Sequence, residues 1–134
     1  MTRKWNLPLT YAPKIKSVLD GRCTQTIRAR RKFKLGDLIS FHGWSGKPYR
    51  STWSFRTPYY EVILAEPIVI HTSGIFWEWN KAFWEWESPT LDALAEYDHI
   101  NPPIGVELGN VLLSMHKIPA EGLEAQIIRW GWEG

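Results

Sequence analysis

Short β-branched runs, each cut off by a glycine or proline turn, fill the first half of this 134-residue chain and constrain its fold class more than any other feature. Cys23-Thr24-Gln25-Thr26-Ile27-Arg28 alternates in character and reads as a strand. After the basic loop Arg30–Lys34, Leu35-Gly36-Asp37 is a turn signal leading into the strand Leu38–His42, which a Gly43–Pro48 loop closes. Tyr49–Phe55 alternates again. Glu61–Ala65 and Ile68–His71 read as one long strand interrupted at Glu66-Pro67, which calls for a sheet edge or a bulge there.

Helices are fewer. Pro13 opens a short one carrying Ile15, Val18 and Leu19 on one side, with Gly21 as its stop. Ser88 is a cap and Pro89 a first position for a second, running to Tyr97. Asn110–Ile118 is expected as a further apolar strand and Pro119–Trp130 as a terminal helix. Ile75–Trp86 fits two periods. Phe76, Trp79, Phe83 and Trp86 share a helical face, whereas Trp77–Trp84 also suits two strands turning at Asn80-Lys81. The sum is an α+β fold, a small β-barrel with flanking helices, in one domain over residues 1–134 and without repeats.

No run approaches the ~18 apolar residues of a membrane helix, and the basic N-terminus lacks the apolar core of a secretory signal, so no membrane association is expected. The lone Cys23 forbids an internal disulfide and fits a reducing, cytoplasmic setting. With His42, His71, His99 and His116 scattered, it also argues against structural zinc, and no motif implies a metal or an organic cofactor.

Two features point outward. Nine tryptophans exceed what a core of this size needs, so some belong to a groove or an interface. Six aromatic residues crowd Phe76–Trp86, which is read either as core filling or as a lid or docking surface for a protein partner or a second copy. The small net charge conceals a sequence dipole: residues 1–50 hold twelve Lys/Arg against two acids, residues 51–134 four against twelve. Cations neutralise phosphates and aromatic faces stack bases, so Arg22, Arg28, Arg30, Arg31, Lys32 and Arg50, with Trp44 and Tyr49 as stacking faces, are the candidate nucleic-acid-binding residues. The competing reading pairs the basic half with the acidic half.

Gly21-Arg22-Cys23-Thr24-Gln25-Thr26-Ile27-Arg28, followed by Gly36-Asp37-Leu38-Ile39, resembles the signature Gly-x-Lys-x-x-Glu-x-Arg of the ASCH domain, a relative of the PUA fold. Gly21 and Arg28 match; Cys23 stands where the lysine is expected and Thr26 where the glutamate is. The resemblance covers about residues 12–56 and implies a PUA-like barrel that binds RNA or a modified nucleoside or nucleotide. One branch, the amidohydrolases that deacetylate N4-acetylcytidine, has threonine at the position of Thr26 and uses it as nucleophile with a lysine and a glutamate. Glu87, just before Ser88-Pro89-Thr90-Leu91, looks like the counterpart of that glutamate. A threonine hydroxyl needs a base to become nucleophilic. With Cys23 at the lysine position, the alternatives are Glu87 as base or Cys23 itself attacking as a thiolate favoured by Arg22 or Arg28. RNA cleavage, associated with the wider family, is the third reading; no histidine pair has a recognisable nuclease spacing.

Overall fold

The computed structural model describes residues 2–44 and 53–131. Its elements are β1 (Lys4–Pro8), α1 (Ala12–Leu19), β2 (Gln25–Ala29), β3 (Leu38–Trp44), β4 (Trp53–Arg56), β5 (Tyr60–His71), β6 (Gly74–Trp77), β7 (Ala82–Glu85), α2 (Pro89–Tyr97), α3 (Gly105–Met115) and β8 (Leu123–Trp130). All described strands join one eight-stranded sheet.

The twelve-residue β5 is the spine. β8 runs antiparallel along it from Val62 to Ile70, and β2 continues the sheet beyond β8, with Thr26 opposite Ile128. The other edge of β5 is shared: β3 pairs at Tyr60 and Glu61, and β6 pairs from Ile68 to His71. The amide of Val62 donates to the Asp37 carbonyl while that of Gly131 donates to Glu61, which puts β3 and β8 on opposite edges. Of the two alternatives expected at Glu66-Pro67, the sheet edge fits, because the bulge in β5 lies between Val62 and Leu64. Pro67 is tolerated because it falls in the stretch between the β3 and β6 pairings, where β5 has only one strand neighbour. β1 lies parallel to β3, and β4 pairs antiparallel with it.

Three expectations need correction. The strands do not close into a barrel, because β1 and β2 form no ladder with each other. Residues 110–118 are not a strand: Gly105, Leu108, Gly109 and Leu112 recur at helical spacing and form the buried face of α3. Residues 123–130 are a strand and not a helix, since Leu123, Ala125 and Ile127 alternate into the core beside β-branched Ile128. Of the two readings for 75–86, the hairpin holds, with β6 and β7 paired from Gly74–Glu85 to Trp77–Ala82.

Two apolar clusters flank the sheet. One packs α2 and α3, through Leu91, Leu94, Leu108 and Leu112, on Ile27, Ile68, Ile70 and Ile127. The other places α1, through Val18, against Leu7, Ile39, Phe41, Ile128 and Trp130. Gly21, at φ +81°, takes the left-handed conformation that ends α1, as its place after the apolar face required. Ser88 Oγ caps α2 by accepting from the Leu91 amide at 3.4 Å.

Candidate functional site

The gap between β1 and β2 is where the sheet stays open, and there the polar side chains gather. Thr26 and Arg28, two residues apart on β2, share a face. Thr26 is 4% exposed, and its Oγ1 accepts from Arg28 Nε at 3.2 Å. Arg28 reaches across the gap, its second terminal nitrogen donating to the Pro8 carbonyl at the end of β1, 2.9 Å away. A cavity of about 190 Å³ opens here, walled by Pro8–Tyr11, by Thr26–Ala29 and Arg31, by Asp98 and Ile100 after α2, and by the outer part of α3 with His116. That is below the ~300 Å³ at which pockets for drug-sized ligands begin, a volume for one planar ring and not for successive nucleotides.

Its inner end is a buried ion pair. Lys14, on α1, points inward and sets Nζ 3.0 Å from Asp98 Oδ2, both side chains nearly fully buried. Gln25 Nε2 donates to the other Asp98 oxygen at 3.4 Å, and Arg129 Nε donates to Gln25 Oε1 at 2.8 Å. Burial pushes the Asp98 carboxyl up against the downward pull of Lys14, Gln25 and Arg28.

The outer end is cationic. Burial, followed by the charge of Arg31, lowers the Arg28 guanidinium to about 10. His116 is held below its ordinary value by burial first and then by Arg30 and Arg28. Among the described residues no carboxylate lies within ion-pair distance of Arg28, Arg30, Arg31, Lys32 or Lys34, although Glu78 and Glu124 of the acidic half border the same surface cavity as the loop. Arg30 leaves β2 at φ 64°, a left-handed conformation that costs a non-glycine residue about 1–2 kcal/mol. The strain turns the loop out of the sheet right beside the cavity.

The other sequence candidates distribute differently. Cys23 is fully buried in the α1 core, its Sγ directed at the Gln25 carbonyl at 3.4 Å, and burial raises its thiol, which disfavours the thiolate. Glu87 is exposed ahead of α2 and is not part of the wall around Thr26. Arg22 is exposed, paired with Asp20 at 2.9 Å, and borders a separate shallow cavity with Arg129 and Tyr97. Arg30 and Lys32 line a third with Arg31, Phe33 and Gln126. Tyr49 and Arg50 lie outside the described residues, and Trp44 is placed only through its backbone at the end of β3. On the β6–β7 hairpin, Trp79 is 69% and Phe83 44% exposed, while Trp86 is buried under α3.

The sequence reading missed Tyr11, Lys14, Asp98 and His116. Asp98 carried a signal: it caps the C-terminus of α2, where the helix dipole disfavours a carboxylate, so it required a cationic partner. Lys14 stands four residues before Val18 and hence on the apolar face of α1.

Comparison with known proteins adds no relative: no family model matches the chain, and neither a curated protein nor a solved structure matches it.

Proposed function

We propose that the chain is a PUA-like module of ASCH type that binds RNA or a modified nucleoside or nucleotide in the cavity between β1 and β2, in the reducing cytoplasm that its lone buried Cys23 fits. The observation that carries this reading is Arg28: half-buried, bonded only to neutral oxygens, and adjoining a ring-sized cavity beside the unpaired Arg30–Lys34 loop. Tyr11 supplies an aromatic wall, Lys14 and Asp98 a donor and an acceptor for a base edge, and the loop a surface for phosphates. The test is titration with short single-stranded RNAs over a range of salt. Affinity that falls log-linearly with salt, by about 0.7 per phosphate contacted, and that drops in Arg31→Gln supports the reading. Salt-independent affinity for RNA, together with none for any nucleoside or nucleotide, sinks it.

Amide hydrolysis is the second reading, favoured by one observation: Lys14 shares the cavity of Thr26 and could supply the amine that position 23 lacks. Turnover of N4-acetylcytidine, lost in both Thr26→Ala and Lys14→Met while binding persists, would establish it. A wild-type protein that binds this nucleoside without turnover rejects it.

A further inference from the structure

The polar groups of the cavity are sorted by charge along β2. Asp98 is bonded to Gln25, the first residue of the strand, and is neutralised by Lys14 from α1. Thr26 follows, then Arg28; Arg31 lies past the strand's end, and His116, from the end of α3, closes the opposite wall. One end of the cavity is a balanced ion pair, and at the other Arg28 and Arg31 have no carboxylate within ion-pair distance among the described residues, although the Asp98 charge still acts on Arg28. Beyond the larger effect of burial, the charge of Arg31 lowers Arg28, and those of Arg30 and Arg28 lower His116, in keeping with positive charge at this end. An anion placed there relieves the repulsion, and the arginine forks match its oxygens.

We propose that the cavity recognises a nucleotide's terminal phosphomonoester, held by Arg28, Arg31 and His116, with the base directed toward Thr26 and the Lys14–Asp98 pair. This inference rests on the nucleotide-binding reading above and narrows it. Charge selects the monoester: it carries about −1.5 to −2 near neutral pH, against −1 for the diester inside a strand, and the two arginines meet the larger value, with the neutral His116 imidazole as a hydrogen-bond donor. Size agrees, since the cavity holds one ring and not a run of them. The chemistry is shared by a free nucleoside monophosphate and by a phosphorylated RNA end.

Calorimetric titration of the full chain separates the cases, with cytidine, cytidine 5′-monophosphate, its phosphate methyl ester, and a tetraribonucleotide with and without a 5′-phosphate. The monophosphate is expected to bind at least about tenfold more tightly than cytidine, and the methyl ester to fall back most of that way. Arg31→Gln and His116→Gln each narrow the ratio of monophosphate to nucleoside affinity. Arg31 is exposed, so its replacement leaves the fold intact; Arg28→Gln also breaks the bond to Pro8 and is read beside its thermal unfolding. A phosphorylated tetranucleotide binding while the free monophosphate does not assigns the site to RNA ends, and the reverse assigns it to free nucleotides; both support the inference. Equal affinity for cytidine and its monophosphate together with equal affinity for the tetranucleotide with and without its phosphate overturns it alone. No binding of any probe overturns it together with the reading beneath it.

Discussion

Lys14 and Asp98 show how much a single buried pair controls here. Each is nearly without solvent, so each owes its tolerability to the other, 3.0 Å away. Removing one partner leaves the other desolvated and unpaired. Lys14→Met is expected to cost about 3–5 kcal/mol, and Asp98→Leu a similar amount. The double variant Lys14→Met/Asp98→Leu should lie well above the sum of these losses, because it buries no orphan charge. Urea unfolding of the four proteins gives the cycle directly; strictly additive losses would show that the two groups do not act as a pair. Conserving this pair while losing ligand affinity in Arg31→Gln would separate the cavity's foundation from its recognition end.

At the scale of elements, the cavity depends on how closely α3 approaches its neighbours. A Cβ on Gly105 would come within 2.2 Å of the Trp86 carbonyl oxygen and 2.8 Å of Leu91 Cβ, and one on Gly109 within 2.6 Å of the Trp86 ring. The two glycines are therefore an approach surface that brings Leu108, Val111, Leu112 and Met115 to the cavity wall. Gly105→Ala meets backbone that cannot yield, and should lower stability by about 1–3 kcal/mol. Gly109→Ala meets a side chain and should cost less. Both variants should bind ligand more weakly than wild type at temperatures where they remain folded, since a displaced α3 moves His116. Chemical denaturation with parallel titration checks this; full affinity in a destabilised Gly105→Ala would mean that α3 does not shape the site.

For the whole molecule, acidity is the most informative variable. Burial, then Arg56 and Arg28, hold His42 below the ordinary 6.5; burial, then Arg30 and Arg28, do the same for His116. The unfolded chain then takes up protons first, so stability declines as pH drops below about 6.5. At Asp37 burial pushes the carboxyl up, but the Lys34 amide, the Trp5 indole and the Arg3 amide outweigh it and leave the group low. Its stabilisation is intact above 3.8 and disappears as pH falls further. The raised Asp98 works in the opposite sense, making the fold the better proton acceptor on the way down to 3.8. Urea midpoints measured from pH 7.5 downward (a range set by the ~6.5 imidazole reference) should show an early loss that His116→Gln diminishes and a second below 3.8 that Asp37→Asn diminishes. A midpoint unchanged across the histidine range would contradict the first of these.

The sequence by itself determined the local elements whose signals are short-range. Pro13 and Gly21 bound α1, Ser88-Pro89 starts α2, and the β-branched runs became β2, β3 and β5 near their expected places. Thr26 and Arg28, chosen as site residues, do share one cavity. What misled were segments whose period is weak by itself. Residues 110–118 and 123–130 exchanged their expected states because their neighbours, Trp86 for α3 and β5 for β8, select the state. Only the tertiary structure decided that the sheet stays open between β1 and β2. It alone brought Lys14, Asp98 and His116, from three separate elements, to the wall facing Thr26. The physical reason is range: a cap or a strand period acts over a few residues, whereas a desolvated ion pair joins positions 14 and 98, which meet only when α1 and the end of α2 are packed in the folded chain.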